Sequence, residues 1–175
     1  MKGLFYTSFP TTIGVVHLAW GPKGLLLIDF HGTSERSFLK YLKLRFCTDV
    51  VRDNDSHAAV KAALRRYFSG RKEVFAGVHV DTSAGTSFEQ AVWRGIRKIP
   101  YGQTRSYGHL AQTIGRPGAA RAVGRACGKN PLPPIIPCHR VVGSRGGLVG
   151  YSGRGGISLK KKLLEMEADV LERMG

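Results

Sequence analysis

Apolar and polar positions follow two different rhythms along this chain. Near the start, Ile13 to Leu18 and Leu25 to Phe30 are short apolar runs rich in β-forming residues. They flank Gly21-Pro22-Lys23-Gly24, the pattern of a hairpin. The period then lengthens. Phe38, Leu42 and Phe46 recur at i, i+4 and i+8 within Ser34 to Phe46. Val60, Ala63, Leu64, Tyr67 and Phe68 follow i, i+3, i+4, i+7 and i+8 within Ser56 to Ser69, and Gly70 comes directly after. Both spacings predict helices. No catalytic constellation stands out in this half.

Residues 80–86 read as a linker. A second unit opens on Ser87-Phe88-Glu89-Gln90, where Ser87 and Gln90 have capping-box spacing. Phe88, Val92, Ile96 and Ile99 form one apolar face up to Pro100. Tyr107, Leu110, Ala111 and Ile114 predict a short helix, Gly115-Arg116-Pro117-Gly118 breaks it, and Ala119, Ala122, Val123 and Ala126 predict another over about 119–127. Two short helices around a glycine-containing turn make a helix-turn-helix. The expected organisation is therefore an α/β (α+β) chain of two domains, 1–84 and 85–175.

The second helix of that pair is unusually bare, with Gly118, Ala119, Ala120, Ala122 and Gly124. Glycine inside a helix costs about 1 kcal/mol relative to alanine. Small residues there serve either tight helix packing or close approach to a DNA minor groove, only about 6 Å wide. Arg121 and Arg125, one turn apart on the same helix, favour nucleic acid, and Arg116 in the turn adds a third cation.

Charge strengthens that choice. The net charge is +15, from 27 Lys and Arg against 12 Asp and Glu. Between Glu89 and Glu165 there is no acidic residue, yet 14 Lys or Arg. Solvated surfaces usually interleave both signs, so a one-sign stretch points to a polyanion. Three widely spaced cysteines without a Cys-x-x-Cys argue against a disulfide framework and a zinc ribbon. Reduced thiols fit an intracellular, cytoplasmic setting. No secretory leader or run near 18 apolar residues stands out, so no membrane association is expected.

Ile135-Ile136-Pro137-Cys138-His139-Arg140-Val141-Val142 places a thiol beside an imidazole on a Pro-stiffened apolar segment. A thiolate is a strong nucleophile, and an imidazole can take its proton. In an extended segment neighbouring side chains point to opposite faces, so direct contact would need a kink, and a water relay is the other route. A buried structural cysteine is the alternative. An orienting acid is scarce. In a helix over Ser158 to Arg173, Leu159, Leu163, Leu164, Met166, Val170 and Leu171 form an apolar arc, and Glu167 falls inside it. A carboxylate facing a core needs a partner. His139 is the natural one, unless Glu167 sits at the rim with its head in water.

Together these residues resemble the O6-alkylguanine-DNA alkyltransferase family, the methylated-DNA–protein-cysteine methyltransferases. The marks are Ser106-Tyr107, Ala120-Arg121-Ala122-Val123-Gly124, Gly128-Lys129-Asn130-Pro131, Pro137-Cys138-His139-Arg140-Val141-Val142, Gly150-Tyr151, and Leu163-Leu164 before Glu167. The resemblance is dense over about 86–171 and looser over the first 80 residues. It implies a small ribonuclease-H-like N-terminal domain and a mostly helical, DNA-binding C-terminal domain. It implies Cys138 as alkyl acceptor, His139 as a base acting through water, Glu167 as the acid orienting it, and Asn130 as the hinge brace. Tyr107 resembles the phenol that helps rotate the nucleotide and serves the guanine ring nitrogen. Arg121 resembles the finger that fills the vacated stack. Val141, Tyr151 and Ser152 resemble the guanine pocket, and Ser144 a backbone contact. The loop Ser152-Gly153-Arg154-Gly155-Gly156 is longer and richer in glycine than in some relatives, and the cysteines of an N-terminal zinc site are missing.

The activity this implies is direct reversal of O6-alkylguanine in double-stranded DNA, with O4-alkylthymine as a further candidate, by a monomer needing no cofactor or metal. The basic surroundings and an imidazolium are expected to favour thiolate over thiol. A helix-turn-helix regulator without transfer, and a cysteine hydrolase or acyl transferase, are the competing readings.

Overall fold

β1 (Leu4–Thr11), β2 (Gly14–Gly21) and β3 (Gly24–Asp29) form an antiparallel meander, and the short β4 (Val50–Arg52) adds to β1 in parallel, giving the order β3-β2-β1-β4. α1 (Glu35–Phe46) lies between β3 and β4 in sequence, and α2 (Ala58–Phe68) comes after β4. These elements belong to the first of two compact units, Met1–Thr82 and Ser83–Gly175. The computed structural model describes residues 3–30, 32–72, 75, 77–148 and 156–174.

The expected hairpin is β2-β3. β1 and β4 lacked a clear signal in the sequence. Phe38 and Leu42 of α1 pack on Tyr6 and Ala19 of the sheet, which is why the i, i+4 apolar pair of that helix is buried. Ser34 caps α1, its hydroxyl accepting from Ser37 N. The stretch expected to be linker from residue 80 begins instead as sheet edge. Val80 bridges Leu25, Leu25 N donates to His79 O at 3.0 Å, and Asp81 N donates to Leu25 O at 2.7 Å. Gly24 makes this possible. Its φ is +121°, and a Cβ there would sit 2.7 Å from His79 O.

The first helix of the second unit is capped one residue earlier than the sequence pattern suggested. Thr86, not Ser87, caps α3 (Ser87–Arg97): its Oγ1 accepts from Glu89 N at 3.2 Å, and Glu89 Oε2 accepts from Thr86 N at 2.8 Å. Gln90 instead donates to Gly85 O at 2.8 Å. An ionised carboxylate at the third position outcompetes an amide for the cap's backbone donor. Along α3, Val92 and Ile96 are buried, and Gly95 leaves room for α4 (Tyr107–Thr113), since a Cβ there would lie 2.8 Å from Leu110 Cδ1. α5 (Ala120–Gly128) completes the helix-turn-helix. Trp93 Nε1 donates to Ala126 O at 2.9 Å, tying α3 to the end of α5.

Two small pairings aim this scaffold. β5 (Arg105–Ser106) runs parallel to β6 (Val141–Val142), with Ser106 opposite Val142. Ser106 also caps α4, its hydroxyl accepting from His109 N at 3.1 Å. The start of α4 is thus fixed beside the chain that leaves Cys138. α6 (Gly156–Glu172) supplies the remaining wall and buries Lys160, Leu163, Glu167 and Val170. Among the described residues no helix is long and apolar enough to cross a membrane.

Candidate active site and nucleic-acid interface

Residues 130–138 fold into a compact apolar bend laced by one side chain. Asn130 Oδ1 accepts from Leu132 N at 3.0 Å, and its Nδ2 donates to Ile136 O at 2.7 Å and to Cys138 Sγ at 3.1 Å. Ile136 N donates to Leu132 O at 2.8 Å, closing the bend. Cys138–Arg140 is a 3₁₀ turn rather than the extended segment expected, with Arg140 N donating to Pro137 O at 3.0 Å. A three-residue turn rotates successive side chains by about 120°. Cys138 therefore faces Asn130 while His139 faces α6.

His139 Nε2 lies 2.8 Å from Glu167 Oε1, and both side chains are fully buried. The rim alternative for Glu167 is thereby overturned. The carboxylate is closed on every side. Arg140 Nη2 donates to Oε1 at 2.9 Å and Arg140 Nε to Oε2 at 2.9 Å, and Gly102 N donates to Oε2 at 2.8 Å. Arg140 Nη1 donates to Ile99 O at 2.7 Å, and its guanidinium lies 5.3 Å from the Tyr101 ring centroid. Gly102 has φ +70°, and a Cβ there would collide with Leu171 Cδ1. Although burial alone would raise it, bonding and charge from His139 and Arg140 hold Glu167 down at about 2. An ionised carboxylate only accepts, so His139 Nε2 carries the proton of that bond, and Nδ1 is the basic nitrogen of the neutral ring.

Burial pushes His139 below the usual imidazole value, although the Glu167 bond and charge pull it up. The ring is thus neutral, not the imidazolium expected. Burial likewise pushes the Cys138 thiol above its ordinary value, opposed by the Asn130 bond and the Lys160 charge. The resting sulfur is a thiol with a neutral base in the adjoining position. Cys127, also buried, is pushed up as well, by burial first and by the Cys138 charge second.

Lys160 and Arg140 are the participants that sequence reasoning missed. Lys160 Nζ donates to Val141 O at 2.6 Å and to the Tyr107 hydroxyl at 3.2 Å, with no exposed surface. It hid in Lys160-Lys161-Lys162, which reads as a solvated run. One signal was available: Lys160 and Glu167 are seven residues apart and share a helix face. Lys160→Met removes the cation while keeping an unbranched chain. The pH at which Cys138 becomes half-reactive towards iodoacetamide, read on its own peptide, is expected to rise. An unchanged midpoint would remove Lys160 from the electrostatics of that sulfur.

Arg116, Arg121, Arg125 and Ser144 are all exposed, the first three on or beside α5 and the last in the turn after β6. Tyr107 is buried, with Gly124 against its ring; a Cβ on Gly124 would be 3.8 Å from Tyr107 Cε1. That is an ordinary van der Waals distance, so packing on Tyr107 does not by itself call for glycine on α5, whose arginines are exposed. Val141 is buried. Tyr151 and Ser152 lie outside the described residues. Among the described residues no cluster of His, Cys, Asp and Glu could hold a metal ion.

A family model described as "6-O-methylguanine DNA methyltransferase, DNA binding domain" matches residues 87–169. A methylated-DNA–protein-cysteine methyltransferase of Methanosarcina barkeri is 37% identical over 171 residues, 96% of this chain and 99% of that protein. A Mycobacterium leprae protein of the same name is 48% identical over 115 residues, 66% of this chain and 67% of its own. The match to the Mycobacterium bovis relative is 54% identical over 104 residues and spans 61% of its length. Among solved structures, Mycobacterium tuberculosis OGT in complex with DNA superposes with a TM-score of 0.79 at 39% identity, covering 95% of this chain and 94% of that one. The chain belongs to the methylated-DNA–protein-cysteine methyltransferase family.

Proposed function

We propose that this protein repairs DNA by direct reversal, moving the alkyl group of O6-alkylguanine in duplex DNA onto Cys138 once per molecule. The observation that carries the reading is the buried chain Asn130–Cys138 and His139–Glu167, built on a turn paired to the start of the helix-turn-helix. Cys138 supplies a soft nucleophile. The new bond joins Sγ to the alkyl carbon, the carbon–O6 bond breaks, and the thiol proton ends on the departing guanine. His139 takes that proton first, at Nδ1 and through a water, with Glu167 fixing the ring.

Burial pushes the Tyr107 phenol well above its ordinary value, so it remains a protonated donor near neutrality. Lys160 donates to its oxygen, which turns the phenol's own hydrogen away from the lysine, as a donor to the guanine ring requires. The nucleotide must leave the stack, at a cost of a few kcal/mol. Arg121, exposed on α5, recovers part of that by filling the gap, and Arg116, Arg125 and Ser144 hold the flanking backbone. Val141, with Tyr151 and Ser152, borders the base. The protein works as a monomer in the cytoplasm.

A thioether has no easy leaving group, so turnover stops at one. Incubation with methylated duplex should add about 14 Da, one methyl for one hydrogen, to the Cys138 peptide. Methylated sites cleared should never exceed protein molecules present. Clearance of a large excess would overturn the reading.

A further inference from the structure

Asn130 laces the bend that carries Cys138, and its own backbone stands at the end of α5. That end is weakly closed. Lys129 N donates to Ala126 O and Asn130 N to Cys127 O, both at 3.2 Å. These are three-residue bonds, of the kind that tighten a helix terminus prone to fray. Neither Lys129, with φ −97°, nor Asn130 is left-handed, so the cap that commonly closes a helix is missing here.

α3 grips that end at two points. Trp93 Nε1 donates to Ala126 O at 2.9 Å, and Lys129 Nζ donates to Glu89 Oε1 at 2.7 Å. Glu89 and Trp93 are four residues apart on α3, and Ala126 and Lys129 are three apart at the end of α5, so each pair shares one helix face. An ion pair at a surface ordinarily contributes little, in part because two long side chains must be ordered together. Here one partner is ordered already. Glu89 Oε2 accepts from Thr86 N at 2.8 Å in the capping box, and the Glu89 side chain is 12% exposed against 68% for Lys129. The Lys129 bond first, and the Thr86 backbone bond second, hold the Glu89 carboxyl below its ordinary value.

We propose that Glu89, Lys129 and Trp93 are positioning residues for alkyl transfer: gripped by α3, the end of α5 stays fixed and aims the Asn130 amide at Cys138. The proposal rests on Cys138 being the alkyl acceptor, as in the function proposed above. Lys129 is then tied to its own protein rather than offered to phosphate, unlike the exposed Arg116, Arg121 and Arg125. Loosening the grip lets the Asn130 Nδ2 to Sγ bond lengthen. Burial raises the Cys138 thiol, and that bond is the foremost influence opposing it.

The test uses the full chain with K129M, and with K129R as the rescue that keeps the charge. The pH at which Cys138 becomes half-reactive towards iodoacetamide, read on its own peptide, should rise by roughly 0.3 to 0.5 in K129M, the scale of one partly exposed ion pair. Transfer at saturating methylated duplex should slow about two- to threefold for the same reason. K129R should restore both. E89Q keeps an oxygen for Thr86 N but loses the charge, and should shift the midpoint as K129M does. The double variant E89Q/K129M should shift it no further, because one interaction is lost only once. Duplex binding by K129M should keep the wild-type dependence on salt. A slope of log K against log salt flattened by about 0.9, with the Cys138 midpoint unmoved, would make Lys129 a phosphate contact and overturn the proposal. So would a lower thermal midpoint with unchanged Cys138 reactivity, which leaves a structural role alone, or shifts that add in the double variant. Iodoacetamide needs neither DNA nor alkyl transfer. If wild-type protein gains no methyl while the K129M midpoint still moves, the proposed function fails and the aiming of Asn130 stands.

Discussion

Cys138→Ala is expected to gain no mass on methylated duplex while binding that duplex about as well as the parent. The two outcomes separate because the sulfur and the exposed cations proposed to meet phosphate are different parts of the molecule. Cys138 is buried against Asn130, whereas Arg116, Arg121 and Arg125 are exposed. Removing one buried sulfur subtracts the nucleophile and one weak acceptor, but no charge that faces a polyanion. Counterion release, which dominates affinity for DNA, is left intact. Cys127→Ala is the matched control. Its thiol is buried too, but burial and the neighbouring Cys138 both raise it, and Asn130 turns its amide to Cys138 instead. Cys127→Ala should retain the mass gain, read by intact-protein mass spectrometry. Transfer surviving in Cys138→Ala and lost in Cys127→Ala would reassign the acceptor.

The second large effect is on stability. Glu167→Gln places an amide where four donor groups converge, so one of its own hydrogens faces another donor and Arg140 is left buried without a counter-charge. Breaking one side of a buried pair costs about 3–5 kcal/mol. In a chain of this size that lowers the unfolding midpoint by roughly 10 °C. The wild-type carboxylate also makes stability depend on acid. Its value is depressed from about 4.3 in an unfolded chain to about 2 in the folded one. Its stabilisation, about 3 kcal/mol, is therefore complete above the unfolded value and fades as pH falls towards the folded one. Glu167→Gln should flatten that acid limb in calorimetry. In activity, losing the negative charge lets His139 fall further, so the acidic limb of the rate profile should move to lower pH. A calorimetric midpoint within a degree of wild type would contradict the buried network.

Much of this was legible in the chain because it is written locally. The helix periods of α2 and α4, the break at Gly115 to Gly118, and the one-sign charge between Glu89 and Glu165 each arise from neighbours in sequence. Glu167 was legible for a different reason: an acid on an apolar arc has to be explained, and His139 was the available explanation. Arg140 and Lys160 escaped because nothing local marks them. Arg140 lies beside Cys138 and His139 and reads as one more surface cation; the fold reveals that its Nε and Nη2 both donate to Glu167 and its Nη1 to Ile99 O. The turn at Cys138 was misread as extended because Pro137 restrains the residue before it and leaves the residues after it free to turn. The imidazolium expectation failed on burial, a tertiary property that opposes charge on His139 more than Glu167 supports it. β4 was missed because three residues paired only with β1 leave no period to detect.

Gly102 carries a consequence for how far the acid can be tuned. One of the donor groups bonded to Glu167 is main chain, at a position where left-handed backbone disfavours any side chain and a Cβ would force Leu171 aside. Substitution elsewhere can exchange Arg140 or His139, yet the peptide donor stays. The acidity of Glu167 therefore has a built-in anchor that drift in side chains leaves untouched, and retuning it would mean redrawing the loop itself.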